Sequence, residues 1–317
     1  MRFLRYTLLA LTICDGRAQD AGPSGSVFSS DVDVVTLLAT VRDRAGAIVK
    51  NLTRDDFRLE EDGRPQTIRY FAQESNLPLV IVLLVDTSRS MQTVFAPERA
   101  ASNRFLEQVL REDRDIAAVV HFDIKVGVLQ DFTSSREKLA AAMDQLKIPK
   151  IPSTKLYDAI KQSSENLMRK QSGRKAFILL SDGMDVRSQT NLVTAIEFAQ
   201  RADTMIYSIL FEHRRLRGGR GITIAIGPNP NRGSKVMARL ARETGGGYFA
   251  VSDDLPIDKI YAQIEDELRN QYSIGYTPDR KDSNGKYRKL KLSVLRKDSK
   301  GMEVRTRDGY YPRSASN

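Results

Sequence analysis

Three patterns of apolar and polar positions follow one another along the chain of 317 residues. In the first, Val32, Val34, Thr36, Leu38, Thr40 and Arg42 share one parity of a strand, and segments 57–60 and 67–71 are shorter strands separated by an Glu-Asp-Gly-Arg-Pro turn. From 77 to 270 the period changes. Apolar runs at 79–85, 116–122, 125–130, 176–180, 205–211 and 247–251 alternate with helical patterns at 97–110, 135–146, 155–170, 191–202, 234–242 and 257–270. Such alternation predicts an α/β unit with a doubly wound, mostly parallel, six-stranded sheet. The tight turn at Asp123 makes the strands on either side of it antiparallel. Period two returns at 271–276, 287–295 and 302–307.

Three strands alone cannot bury both of their faces. The amino- and carboxyl-terminal strands are therefore expected to pair into one β-sandwich, with the α/β unit inserted between them. The expected organisation is a signal peptide (1–18), a disordered linker (19–30), an amino-terminal β segment (31–76), the α/β domain (77–270), a carboxyl-terminal β segment (271–312) and a tail (313–317).

The chemistry concentrates where apolar runs stop. The run from Leu79 ends in Asp86, Ser88 and Ser90, oxygen donors at alternate positions after a buried strand. Ser153 and Thr154 precede a helix, and the run from Ala176 ends in Ser181, Asp182 and Gly183. Oxygen donors suit a hard divalent cation, and open α/β sheets bind ligands outside the carboxyl ends of their strands. Taken singly, each residue reads first as a turn residue or helix cap. Asp185 reads as a solvated loop carboxylate.

With Asp-x-Ser-x-Ser, a distant Thr and a strand-end Asp-Gly in place, the chain resembles the von Willebrand factor A domain. The segments KLYDAI, LLSDGMD and LARETGGGYF fit as well. The flanks resemble the bacterial VWFA-related proteins abundant in acidobacteria. The resemblance implies a metal-ion-dependent adhesion site made of Asp86, Ser88, Ser90, Thr154 and Asp182 and holding Mg2+ or Mn2+. The hydroxyls would reach the ion directly or in exchange, and the aspartates would act largely through bound water. Neutral hydroxyls leave the ion's charge partly uncancelled, so it attracts an Asp or Glu carboxylate of a protein partner. The competing expectation is a structural or assembly scaffold of the cell envelope that binds through another face without metal.

Charge and composition refine this picture. The net charge of +10 is spread along the chain and comes without an aromatic-basic recognition motif, so no nucleic-acid partner is expected. Arg2, Arg5, a short apolar run and the small residues Gly16 and Ala18 read as an export signal, giving a periplasmic or secreted protein. Cys14 is the only cysteine, so a chain cut after Ala18 has no thiol or disulfide chemistry. The two histidines and single cysteine make no zinc cluster, and no phosphate loop ending in Lys-Ser/Thr is present. An aspartyl nucleophile at Asp86 would want a second carboxylate where Ser88 stands, so catalysis is not expected. Arg214, Arg215, Arg217 and Arg220 form the densest positive segment, a candidate contact for an anionic partner.

Overall fold

The computed structural model describes residues 34–73, 77–211, 230–280, 285–296 and 299–312. All of them lie in the unit Asp33–Asn317. The first strands are β1 (Val35–Arg42), β2 (Phe57–Glu61), β3 (Arg64–Gln66) and β4 (Ile68–Gln73). Next come β5 (Leu79–Asp86), α1 (Phe95–Val109), β6 (Ile116–Phe122), β7 (Val126–Thr133), α2 (Arg136–Asp144) and α3 (Leu156–Asn166). They are followed by β8 (Arg174–Ser181), α4 (Leu192–Arg201), β9 (Thr204–Leu210), α5 (Pro230–Thr244), β10 (Tyr248–Ala250) and α6 (Ile257–Arg269). The last strands are β11 (Tyr272–Tyr276), β12 (Arg288–Val294), β13 (Glu303–Arg305) and β14 (Gly309–Tyr310).

Every residue of β5, β8 and β9 is buried, which is why these segments read as unbroken apolar runs. They lie in a six-stranded sheet of order β10-β9-β8-β5-β6-β7, parallel except for the β6–β7 pair. Alternate residues of β5 feed two cores. Ile81, Leu83 and Val85 pack with Phe105, Leu139 and Ile264 of α1, α2 and α6. Val80, Val82 and Leu84 pack with Ile160, Ile196 and Leu240 of α3, α4 and α5. The expected doubly wound architecture is therefore present.

Two further antiparallel sheets, β13-β1-β11-β4 and β14-β12-β2-β3, share a third apolar cluster that includes Leu37, Leu59, Ile274 and Leu292. Both sheets combine strands from before and after the α/β unit: they alternate in β13-β1-β11-β4, and in β14-β12-β2-β3 the later pair β14-β12 adjoins the earlier pair β2-β3. The inward parity of β1 is Val35, Leu37, Ala39 and Val41, not the parity that the sequence pattern had singled out. The other parity is covered too. Leu38 packs against the core beneath α6, and Arg42 donates to Glu267 of α6 at 2.8 Å from Nε and 2.6 Å from Nη2. Arg305 of β13 donates to the same oxygen at 2.8 Å.

Sequence pattern also missed two short strands. The expected turn at 61–65 is shorter in the structure: Asp62 and Gly63, with φ of 49° and 79°, make a two-residue hairpin turn that sends 64–66 back along β2 as β3. The two residues of β14 are too few to show any period. Among the described residues, no helix is long and apolar enough to cross a membrane. The expected signal segment and the four arginines at 214–220 lie outside the described residues.

Candidate functional site

The carboxyl edge of the central sheet collects three loops. Asp86, the last residue of β5, is fully buried, and Ser88 and Ser90 follow it in a short 3-10 turn, Arg89–Thr93. One carboxylate oxygen of Asp86 accepts the Ser88 N–H at 2.8 Å, which folds the loop back over the strand end. The Ser88 and Ser90 hydroxyls lie 2.9 Å apart and share a hydrogen bond. The other Asp86 oxygen accepts the Ser181 hydroxyl at 2.6 Å, tying β5 to the end of β8. Ser181 in turn accepts the Gly183 N–H at 3.0 Å.

Gly183 is required by the backbone. Its φ is +75°, and a Cβ there would stand 2.4 Å from the carbonyl oxygen of Gly233 on α5. A Cβ on Gly233 would meet the Asp182 carbonyl at 2.1 Å. Two facing glycines thus let the Asp182 loop press against α5, while the Asp182 side chain accepts the Met184 N–H at 2.9 Å.

The Thr154 loop is sewn to the Asp182 loop. The Thr154 carbonyl accepts the N–H groups of Val186 and Arg187 at 3.0 and 3.2 Å. Asp185 accepts the Tyr157 N–H at 3.3 Å and the Ser188 hydroxyl at 2.6 Å. Asp158 receives Gln189 and Thr190 N–H groups at 3.1 and 2.9 Å. Asp185, expected to be a solvated carboxylate, is instead half-buried and fastens the first turn of α3. Ser153 and Thr154 are both buried, and the Ser153 Oγ has no hydrogen-bond partner.

The electrostatics of this edge are unbalanced. Burial and the neighbouring Asp182 carboxylate push Asp86 up to about 7, against the hydrogen bonds from Ser181 and Ser88. Glu98, on the first turn of α1, is 1% exposed, and neither carboxyl oxygen has a hydrogen-bond partner. Burial first, and Asp86 second, raise it well above the ordinary glutamate range. Among the described residues neither carboxyl group has an ion-pair partner.

Glu98 is the main residue missed from sequence. A signal was there: the buried positions of α1 are Glu98, Ala101, Ser102, Phe105, Leu106 and Val109, so the glutamate begins an apolar stripe of helical period. Ser181 had read only as the end of a strand, yet it is the hydroxyl that grips Asp86. His121 is half-buried, with Nδ1 3.4 Å from the Thr87 hydroxyl and 3.3 Å from Asp123, whose carboxylate accepts the Thr87 hydroxyl at 2.7 Å. Both contacts use one ring nitrogen, an arrangement that braces the β6 end and does not activate a nucleophile.

Asp86, Ser88, Ser90, Thr154 and Asp182 are thus all at this edge, and the first three are in direct or sequential hydrogen-bonded contact. Among the described residues no three His, Cys, Asp or Glu side chains gather as a metal cluster. Buried hydroxyls, the buried Asp86 and Asp182 carboxyl groups and an unpartnered Ser153 oxygen are the donor chemistry a small divalent cation takes.

A six-stranded, mostly parallel sheet wrapped by helices, with loops gathered at its carboxyl edge, is the fold of an A-type binding domain. Residues 81–185 match the von Willebrand factor type A domain, and all five residues fall inside that match. This fold is often used for protein–protein binding or adhesion. No curated protein matches the chain.

Solved structures similar to it include the proximal thread matrix protein 1 of the mussel byssus (14% identity, TM-score 0.49, covering 66% of this chain and 51% of that one). The chain thus spans about half the length of the mussel protein. A conserved hypothetical protein BatB from Bacteroides thetaiotaomicron is 15% identical (TM-score 0.46, covering 62% and 100%). The vWF domain of the type V pili tip protein Mfa5 from Porphyromonas gingivalis is 14% identical (TM-score 0.46, covering 61% and 94%).

Proposed function

We propose that the chain is an exported, non-catalytic binding protein whose metal-ion-dependent adhesion site recognises an acidic group on a protein partner. The observation that carries this reading is the gathering of Asp86, Ser88, Ser90, Thr154 and Asp182 at one sheet edge, with the Asp182 carboxylate close enough to Asp86 to raise it. Ser88, Ser90 and Thr154 would hold Mg2+ or Mn2+ through their hydroxyls, and Asp86 and Asp182 would orient those hydroxyls and supply negative charge. When bound, the ion offers an incompletely neutralised Lewis-acid position for a carboxylate. Ser181 keeps Asp86 fixed from the β8 side, and the bonds from Val186 and Arg187 to Thr154 fix the spacing of the loops. Export is supported by the basic, apolar and small-residue succession of residues 2–18.

The test is calorimetric titration of the chain with Mg2+ and Mn2+, beside Asp86→Ala. Saturable binding that disappears in the variant is the expected result. Absence of binding of either ion to the wild-type chain, or undiminished binding to Asp86→Ala, overturns the reading.

A further inference from the structure

The flank of the α/β unit formed by α5 carries chemistry that the sheet edge does not use. Val236, Met237, Leu240 and Ala241 of this helix are buried, while Arg232, Lys235, Arg239 and Arg242 take its other side. At about 100° per residue these four positions fall within about 80° of arc and extend about 15 Å along the axis. Arg232, Lys235 and Arg242 are exposed, and Arg239 is partly so. Arg232 and Lys235 form no ion pair with a described residue.

The carboxylates around this stripe are already engaged. Glu243, the one acid of α5, accepts Arg239 at 2.6 Å and Arg242 at 3.3 Å. Glu197 of α4 accepts Arg201 at 2.8 Å. Asp308 accepts the Tyr287 hydroxyl at 2.6 Å and the Gln200 amide at 3.1 Å. Asp185 is held by Ser188 and Tyr157. The exposed Asp253 and Asp254 lie on the loop that leads from β10 to α6, which packs on the opposite face of the sheet. Four cations against one acid leave the helix face positive.

At its carboxyl end the stripe meets aromatic rings. The Asp308 N–H donates to the Glu243 carbonyl at 3.4 Å, which places β14 beside the end of α5. There Tyr287, 38% exposed, lies 5.1 Å from Tyr311 between ring centres, and the Arg201 guanidinium lies 4.3 Å from the centre of the Tyr311 ring. Two tyrosines and a further arginine thus continue the row of cations.

We infer that this flank binds a linear acidic polysaccharide, its acid groups along α5 and a sugar ring against Tyr287 and Tyr311. Charge complementarity selects a polyanion. The tyrosines select sugar, because the C–H face of a pyranose is apolar and can cover an aromatic ring while its hydroxyls stay in water. An acidic peptide would use the cations alone. An anionic membrane is the less suited occupant, since no large apolar side chain between 232 and 242 is exposed for insertion. The five candidate metal residues take no part, so this surface does not depend on a bound ion.

The experiment measures fluorescence anisotropy of a labelled oligogalacturonate and a labelled oligoglutamate of equal charge, with the full chain in EDTA. The sugar is expected to bind about tenfold tighter than the peptide and to weaken as salt is raised. Arg232→Ser with Lys235→Ser should weaken both by about tenfold. Tyr287→Ser should weaken the sugar alone, and Tyr287→Phe, which also loses the bond to Asp308 but keeps the ring, should not. Comparing the two polymers needs no variant, so a misfolded mutant cannot hide the answer.

Equal affinity for sugar and peptide on the wild-type chain overturns the proposal in favour of an acidic protein. Undiminished sugar binding by the Arg232→Ser, Lys235→Ser chain places the ligand elsewhere and overturns it too. So does sugar binding that appears only when Mg2+ replaces EDTA, because the uronate would then sit on the ion. That last result would leave the metal-site reading standing, whereas binding in EDTA with no Mg2+ uptake by calorimetry would leave this surface standing alone.

Discussion

The two ends of β5 are each finished by a buried aspartate, and the two aspartates live in opposite conditions. At the amino end, Asp115 accepts the Leu79 N–H at 2.8 Å, the Arg269 guanidinium at 2.6 Å and Arg111 at 3.0 Å from its N–H and 3.1 Å from Nε. Burial would raise it, but the Arg269 and Arg111 hydrogen bonds outweigh burial and hold it down to about 2. At the carboxyl end, Asp86 has Ser181 and Ser88 for partners and Asp182 for a neighbour, and it is pushed up to about 7 by burial and that charge. The same residue type in the same sheet is a finished fastening at one end and an unfinished charge balance at the other. Proteins hold buried charges only when they are paired.

The largest effect that sharpens the contrast is in stability. Asp115→Asn strips two arginines of their buried partner and should cost about 3 kcal/mol in urea unfolding. Asp86→Asn should cost less than about 1 kcal/mol in metal-free buffer, because the weakened acceptor is offset by relief of the repulsion from Asp182. Equal losses at the two ends would erase the distinction.

A second contrast is in pH. Asp115 is held below its ordinary value of 3.8, so its stabilisation is full above about pH 4 and is lost as pH falls toward 2. Asp86 is raised, so between about pH 4 and 7 the folded chain holds a proton that the unfolded chain has released. Its contribution to metal-free stability is therefore full below pH 4 and lost as pH rises through 7. Melting curves of wild type against Asp86→Asn isolate that slope, which the variant should lack.

The smallest effect is at Glu98. Buried without a hydrogen-bond partner and raised well above the ordinary glutamate range, it should accept replacement by glutamine within about 0.5 kcal/mol at pH 7. A loss of several kcal/mol on Glu98→Gln would mean that the acid carries a charge its surroundings do not explain.

These differences bear on what was legible in the chain beforehand. The six apolar runs of the central sheet could be read because burial on both faces makes them continuous, and the strand-end aspartates follow from where each run stops. The inward face of β1 could not be read, since both its faces are covered: one by the sandwich core, the other by Leu38 and the Arg42–Glu267 contact. The stitching of Asp158 and Asp185 across two loops was invisible for another reason. A side chain capping backbone N–H groups from a distant loop leaves no local period. Glu98 was legible in principle, as a carboxyl group at the head of an apolar helical stripe.

The most direct test of the unfinished balance at the carboxyl end is thermal unfolding with and without Mg2+ at pH 5 and pH 8, for wild type and Asp86→Asn. Without metal, wild type should melt lower at pH 8 than at pH 5, a difference that Asp86→Asn should lack. Saturating Mg2+ should raise the wild-type midpoint by several degrees at pH 8 and by much less at pH 5, where protons occupy the site, and it should leave the variant unmoved. A wild-type midpoint indifferent to Mg2+ at pH 8, or one raised equally in Asp86→Asn, would contradict the account.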